Sequence, residues 1–214
     1  MDAKHSSVNE ATSNAAYAPD SRRYTYADYA LLSDDKRYEV IDGVLYLMAP
    51  APSVAHQDVA GELFVQLKGF LRGNPCKVFH APFDVCLSAA GDDDVTVVQP
   101  DILVVCDRSK LDGKRCNGAP DFVIEILSPS SAARDTMLKF HKYMYAGVRE
   151  YWIVDPIEKI VQVCILKGGR YETEALVDPD AIPVRVLQGC RIDMKQVFAQ
   201  QAMDDGTDDY LCEK

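Results

Sequence analysis

The chain has 214 residues, of which 48% are apolar and 26% charged, and this size and composition are typical of one globular domain rather than of a disordered or fibrous protein. Its formal net charge is −10 at pH 7, so it lacks the basic surface on which a strong, nonspecific nucleic-acid binder depends. The acidic charge does not exclude a metal-dependent enzyme, because a cation-binding cleft is itself acidic before the cation enters.

The two ends of the sequence differ from its middle. Residues 1–20 are rich in Ala, Ser and Asn and residues 203–214 are acidic, so we expect a flexible N-terminal leader and an acidic C-terminal tail. No repeat or linker interrupts 21–202, which predicts a single domain. No secretory signal is visible, and no apolar stretch approaches the roughly 18 residues of a membrane span. We therefore expect a cytoplasmic protein.

The seven cysteines contain no CxxC pair, and their number is odd. Both features argue against a zinc site and against a disulfide framework. Several cysteines lie inside apolar runs, such as Cys86 within 85–87 and Cys106 at the end of 104–106. We expect them to be buried, reduced thiols that pack as small hydrophobic side chains.

The first predicted elements are a short helix, a hairpin and an amphipathic helix. Thr25 can cap a helix that runs through about Leu32. The Asp42-Gly43 dipeptide lies between two strand-like halves of the segment 37–48 and predicts a β-hairpin. In the segment 56–71, apolar residues recur at intervals of three and four, which predicts a helix with one buried face. These apolar residues are Val59, Leu63, Leu67 and Phe70.

Strands and helices then alternate along the chain. The predicted strands cover 77–87, 95–106, 121–127, 150–155 and 159–166. Helices are predicted over 132–145 and near 194–201. Because 102–106 and 122–127 are almost wholly apolar, they are typical of central strands that are covered on both faces. We therefore predict an α/β domain in which a mixed β-sheet is flanked by helices.

Two carboxylates stand within these apolar strands. Asp101 follows Pro100 and opens one strand, and Glu125 lies inside another. A buried carboxylate is costly unless it is paired or binds a cation, and on neighbouring strands the two acids can meet at one end of the sheet. Two hard oxygen ligands plus waters commonly hold Mg²⁺, so we predict a divalent-metal site here. The alternatives are a turn-capping role for Asp101 and a salt-bridged or edge-strand position for Glu125.

Three further residues are candidates for the same site. Lys139, on the helix 132–145, could orient water or stabilise charge on a phosphorane, or it could pair along the helix with Asp135, four residues earlier. Glu39, beside the hairpin, could reach the metal or could face solvent. His56 could face the cleft as a proton acceptor or phosphate contact, or it could cap its own helix.

Taken together, several segments resemble one known family. These segments are Gln99-Pro100-Asp101-Ile102, the run from Pro120 to Ser130, the positions Asp135, Lys139 and Tyr143, the run from Gly147 to Pro156, and the opening Glu39, Asp42-Gly43 and Pro50 to His56. Over about residues 24–166 the chain resembles the Uma-type family, a large and mostly bacterial group for which restriction-endonuclease activity is inferred. This family belongs to the PD-(D/E)XK nuclease superfamily. The resemblance implies a restriction-endonuclease-like core, with a divalent metal at its acids.

The resemblance also implies a role for individual residues. Asp101 is similar to the superfamily's motif aspartate, and Glu125 to the acid of the (D/E)-x-K element, with the backbone carbonyl of Ile126 as a further metal ligand. The position two after Glu125 is Leu127 rather than lysine. In the Uma-type family the lysine lies on the following helix, where Lys139 stands.

The predicted function is therefore Mg²⁺- or Mn²⁺-dependent hydrolysis of DNA phosphodiester bonds. Asp101 and Glu125 would bind the metal and Lys139 would position the attacking water. Glu39 and His56 would assist. The alternative is a catalytically silent binding or assembly module on the same fold, which the acidic charge and the missing strand lysine favour. Exposed strand edges and the apolar composition are compatible with a homodimer, and no membrane partner is expected.

Overall fold

The computed structural model describes residues 22–33, 36–48, 53–128 and 133–199, with 133–136 described by their backbone alone. The predicted leader 1–20 and tail 203–214 lie outside the described residues, and the domain bounds 21–202 stay a prediction. Within the described part, no helix has the length and apolar character that crossing a bilayer requires.

The first helix, α1 (Tyr26–Tyr29), is shorter than its sequence predicts. Thr25 caps it as expected, in a capping box with Asp28. The helix ends at Tyr29, with Ala30 as its C-cap, and not at about Leu32. Leu31 is 81% exposed and Leu32 37% exposed, so continuing the helix would bury no further apolar surface, and packing rather than propensity decides the length of so short a helix.

The predicted hairpin is confirmed as β1 (Tyr38–Ile41) and β2 (Val44–Leu47), paired antiparallel. Its two-residue turn has positive φ at both Asp42 and Gly43, 55° and 81°, which is the geometry that such a turn requires. A side chain at Gly43 would also collide with the Arg23 side chain. The Asp-Gly dipeptide therefore sets the register of the hairpin.

The amphipathic helix is confirmed as α2 (Val54–Phe70), with Ser53 as its N-cap. Three of the four apolar residues predicted for its buried face are fully buried. These are Val59, Leu63 and Leu67. The fourth, Phe70, is 38% exposed, and Leu71 is buried in its place.

Two of the predicted strands are each divided in the structure. The segment 77–87 forms β3 (Lys77–His80) and β4 (Val85–Cys86), and the segment 95–106 forms β5 (Val97–Val98) and β6 (Ile102–Val105). The prediction of two continuous strands was wrong because each segment contains a proline, at Pro82 and Pro100, which cannot donate to a sheet ladder. The two halves of each segment accordingly join different sheets.

The remaining predicted elements agree with the structure in type and approximate position, and the structure adds one strand within 107–120 and three strands within 168–193. The strands are β7 (Cys116–Asn117), β8 (Phe122–Ile126), β9 (Glu150–Asp155), β10 (Ile160–Lys167), β11 (Arg170–Val177), β12 (Ala181–Pro183) and β13 (Arg191–Asp193), and the helices are α3 (Ala133–Ala146) and α4 (Met194–Ala199). The segment predicted as a loop, 107–120, contains β7 and a 3-10 turn.

A six-stranded mixed sheet carries the fold, in the order β11-β10-β9-β8-β6-β3. The β8 and β9 strands are parallel, and the other neighbours are antiparallel. The β8 strand is covered on both faces: Phe122, Ile124 and Ile126 pack with α2 and α4, whereas Val123 packs with α3 and the second sheet. That second sheet has the order β2-β1-β5-β4-β7. The predicted α/β class with a mixed sheet between helices is confirmed.

The cysteine prediction was wrong for one pair. Cys76 and Cys106 form a disulfide. Cys76 precedes Lys77 and Cys106 follows Val105, and Lys77 and Val105 are the end pair of the β3–β6 ladder. Antiparallel pairing therefore brings the two cysteines together, a proximity that their sequence spacing does not reveal. Cys212 lies outside the described residues. The other four cysteines are buried and free, as predicted: Cys86, Cys116, Cys164 and Cys190.

Candidate active site

Asp101 directly precedes β6, and Glu125 lies within the neighbouring strand β8. The β6 and β8 strands are antiparallel and match Ile102 with Ile124, so the next position along each strand places Asp101 opposite Glu125. Side chains in directly opposed positions of an antiparallel pair lie on the same face with their Cβ atoms roughly 5 Å apart. Glu125 is therefore on a central strand rather than an edge strand, and it does form an ion pair.

The partner of Glu125 is Lys139 on α3. The Lys139 Nζ atom lies 3.1 Å from Glu125 Oε1, and the side chains are only 12% and 13% exposed. Tyr143, one turn later on the same helix face, donates its hydroxyl to the same Oε1 atom at 2.7 Å. The side chain of Asp135, the alternative partner of Lys139, lies outside the described residues.

Glu39 approaches the same ammonium group from the hairpin. Its Oε1 atom lies 2.8 Å from Lys139 Nζ and accepts the backbone N–H of Gln99, also at 2.8 Å. Glu39 is 7% exposed, so it is not the solvent-facing strand residue of the alternative interpretation. Lys139 therefore bridges two carboxylates that come from different sheets.

His56 reaches the site from the first turns of α2. Its Nε2 atom lies 3.2 Å from Asp101 Oδ2, and because a carboxylate only accepts, this nitrogen carries the proton. Ser53, not the imidazole, caps the helix. The same Asp101 oxygen accepts the Ile126 N–H at 2.8 Å. The His56 Nδ1 atom is buried and has no hydrogen-bond partner among the described residues.

The charges at the site are unbalanced toward the negative. Three carboxylates, Asp101, Glu125 and Glu39, face one ammonium group and one imidazole. Burial raises the pKa of Glu125 to about 7; the Lys139 charge opposes this shift, and the Asp101 and Glu39 charges add to it. Burial alone would lower the pKa of Lys139, but the two glutamates outweigh it and raise that pKa. Lys139 is therefore an ammonium group at any physiological pH.

The pKa of the His56 imidazole is also raised. Burial lowers its pKa, but the hydrogen bond to Asp101 and the charges of Asp101 and Glu125 prevail, so that the pKa is raised. The backbone of Ile126 contributes to this rise. The ring therefore holds its proton more strongly than a free imidazole does.

Comparison with known proteins identifies the family. A family model described as "Uma2: Putative restriction endonuclease" matches residues 24–195. The chain belongs to the Uma2 family. A crystal structure described as that of a putative nuclease belonging to DUF820, from Anabaena variabilis ATCC 29413, has a similar fold, with a TM-score of 0.67 and 22% sequence identity over 82% of this chain and 98% of that chain. Curated proteins give no match.

The Uma2 membership confirms the family and the nuclease-like fold predicted from the sequence. The five predicted side chains form two contacting groups, His56 with Asp101 and Lys139 with Glu39 and Glu125. The two groups are neighbours because Asp101 accepts the backbone N–H of Ile126, the residue after Glu125. Sequence reasoning assigned no role to Tyr143 or Gln99. The four-residue interval from Lys139 to Tyr143 could have indicated Tyr143, since it places both on one helix face.

The donor set of this Uma2 chain fits a hard divalent cation. Asp101 Oδ2 and Glu125 Oε1 accept the hydrogen bonds described above, and no described residue donates to the other oxygen of either carboxylate. Within the same described part, no three or more His, Cys, Asp or Glu side chains form a metal-binding group by themselves. Asp101 and Glu125 therefore offer two carboxylates, to which waters would be added, as is common for Mg²⁺, and the Ile126 carbonyl as a further ligand stays a prediction.

Proposed function

We propose that this Uma2 protein is an endonuclease that hydrolyses DNA phosphodiester bonds with Mg²⁺ or Mn²⁺ in the cytoplasm. The observation that carries the proposal is the ion pair of Lys139 with Glu125, at 3.1 Å, on the face where Glu125 opposes Asp101. Lys139 supplies the ammonium group that is missing at position 127, where the chain has leucine.

Asp101, Glu125 and the Ile126 carbonyl would hold the metal. A divalent cation bound there would polarise a phosphoryl oxygen and lower the pKa of a bound water. The site's excess of negative charge favours this cation, because the cation's charge compensates carboxylates that are mostly buried.

The side chains around the metal site have separate tasks. Lys139, which stays protonated, orients the attacking water and stabilises the charge that develops on the phosphoryl oxygens. Glu39 holds the ammonium group in place, and His56 holds Asp101. Water attacks phosphorus in line, and the new P–O bond forms as the bond from phosphorus to the 3′ oxygen breaks. The attacking water releases a proton to solvent, and the leaving 3′ oxygen takes one up from solvent.

The test is cleavage of supercoiled plasmid and of single-stranded DNA in Mg²⁺ or Mn²⁺. We expect cleavage by the wild type, none by Asp101→Ala, and wild-type cleavage by Glu172→Ala, a control on β11 whose exposed carboxylate pairs with the exposed Lys167. Equal cleavage by the wild type and Asp101→Ala would refute the mechanism. DNA binding without cleavage in either metal would favour the silent binding module instead.

A homodimer is part of the proposal. The β11 strand forms one edge of the described six-stranded sheet, and an open edge can pair with a second copy. Light scattering at several protein concentrations measures the mass, and a monomer throughout would contradict the dimer without affecting the nuclease proposal.

A further inference from the structure

Arg37 is an exposed arginine that directly precedes β1. Its backbone carbonyl accepts the Met48 N–H at 2.9 Å, so it continues the β1–β2 ladder by one position. Residues two apart on a strand share a face and are about 7 Å apart. Arg37 therefore lies on the same face as Glu39, at the margin of the candidate active site.

A neutral amide, not a carboxylate, anchors the guanidinium group. Arg37 Nη2 donates to Gln99 Oε1 at 2.6 Å. The amide nitrogen of Gln99 donates to Asp84 Oδ1 at 2.8 Å and to the Tyr29 hydroxyl oxygen at 2.9 Å. Because these two acceptors determine which end of the amide is nitrogen, the amide oxygen must point at Arg37.

Gln99 also connects Arg37 to the reacting groups. Its backbone N–H donates to the Glu39 oxygen that contacts Lys139. One residue thus positions both the guanidinium group, through its side chain, and Glu39, through its backbone. The distance between Arg37 and the Lys139 ammonium group is determined by this chain of contacts.

Among the described residues, the charge of Arg37 has no carboxylate partner. No acidic side chain among the described residues forms an ion pair with it, whereas other arginines do pair, as in Arg149 with Asp121 and Arg115 with Asp92. A guanidinium group has five N–H donors, and a single one is used here. In a chain with a net charge of −10, such an arginine beside the site is suited to an anion.

We propose that Arg37 binds a backbone phosphate of the nucleic-acid substrate next to the phosphate that is cleaved, and that Gln99 is its positioning residue. The inference rests on the proposed function. The planar guanidinium group can donate two parallel hydrogen bonds to phosphate oxygens. Loss of a contact to the nucleic-acid backbone weakens binding equally for all base sequences. Arg37 is a substrate-binding residue and takes no part in the transfer of protons.

The test measures binding of a labelled DNA duplex over a range of KCl concentrations, with Ca²⁺ as the divalent ion, by fluorescence anisotropy. We expect Arg37→Ala to weaken binding about tenfold and to reduce the steepness of the log–log salt dependence by about one. Arg37→Lys should recover part of the affinity, because it keeps the charge but loses the fork. Arg191→Ala, at an exposed position of β13 in the separate two-stranded sheet, is the matched control and should bind as the wild type does.

Gln99→Met tests the positioning role, because it keeps the backbone N–H and removes the amide. We expect a higher KM with kcat changed less than twofold, and a salt dependence close to that of the wild type, since the charge of Arg37 remains. If Arg37→Ala binds within twofold of the wild type with the same salt slope, the Arg37 proposal is overturned while the nuclease proposal stands. If the wild type itself neither binds nor cleaves DNA, both proposals are overturned.

Discussion

Lys139 and Tyr143, one helical turn apart on α3, both contact the same carboxylate oxygen, Glu125 Oε1, at 3.1 and 2.7 Å. This oxygen is thereby held by two donors, and no described residue donates to the other oxygen of Glu125. Asp101 shows the same pattern, with Ile126 and His56 on one oxygen. Hydrogen bonds to one oxygen thus orient each carboxylate, and its other oxygen is available to bind a ligand.

Replacing Lys139 by methionine should abolish DNA cleavage and destabilise the fold. The substitution leaves Glu39 and Glu125 buried without their shared cation, and breaking a buried ion pair in this way costs about 3–5 kcal/mol. Urea denaturation measures the stability and plasmid cleavage the activity. The control is Lys142→Met, on the same helix, which loses an ion pair to the 59% exposed side chain of Asp42 and should cost no more than about 1 kcal/mol. Equal losses in the two variants would contradict the bridging role of Lys139.

Replacing Tyr143 by phenylalanine should shift the acidic limb of the pH–activity profile upward. The Tyr143 hydrogen bond lowers the pKa of Glu125, against the larger, opposing effect of burial. Its loss therefore raises the pH at which Glu125 releases its proton. Profiles of kcat/KM against pH for wild type, Tyr143→Phe and the control Tyr145→Phe, at a 75% exposed position, test this. If the acidic limb of the Tyr143→Phe profile coincides with that of the wild type, Glu125 does not control this limb.

Metal affinity should depend on pH near neutrality. Burial raises the pKa of Glu125 to about 7 from an ordinary 4.5, so below about pH 7 a proton competes with the cation. Apparent Mn²⁺ affinity, measured by calorimetry, should fall by up to tenfold for each pH unit below 7 and level off above it. Glu125→Gln should remove most of the binding, while Glu172→Gln should leave both affinity and pH dependence unchanged. A pH-independent affinity would count against Glu125 as a ligand.

The same shift should make the metal-free protein less stable as pH rises. The folded pKa of Glu125 lies above the unfolded value, so its stabilising contribution is fully present below about pH 4.5 and is lost as pH rises through about 7. The unfolding free energy of the wild type, relative to Glu125→Gln, should therefore decrease over this range. Urea titrations in EDTA at pH 5, 6, 7 and 8 measure the difference, and an increase with pH would contradict it.

Glu150 is a second buried carboxylate, and we expect it to be structural. Its two oxygens accept the Trp152 indole N–H at 2.8 Å and the Val186 N–H at 2.9 Å. Glu150→Gln turns an amide nitrogen toward one of these donors, which should cost roughly 1–3 kcal/mol of stability. Trp152 is the single tryptophan, so its fluorescence reports unfolding directly. Mn²⁺ affinity should not change. A loss of metal binding in a folded Glu150→Gln variant would contradict a purely structural role for Glu150.

Local patterns in the sequence were sufficient for much of the fold. The Asp42-Gly43 turn, the apolar spacing from Val59 to Leu67 and the apolar run of β8 each have a backbone preference or a periodicity that acts over a few residues. The divided strands were missed because a pairing partner, not the local sequence, decides which sheet each half joins. The Cys76–Cys106 disulfide was missed for the same reason.

The sequence by itself determined which residue types were available for the site: two acids in apolar strands, a lysine on the following helix, and a histidine and a glutamate earlier in the chain. Only the tertiary structure decided that Lys139 pairs with Glu39 and Glu125, that Tyr143 shares Glu125 Oε1, and that Gln99 links Arg37 to Glu39. The physical reason is that hydrogen bonds and ion pairs act over about 3 Å, whereas the residues that form them lie far apart in sequence until the sheets and α3 pack together.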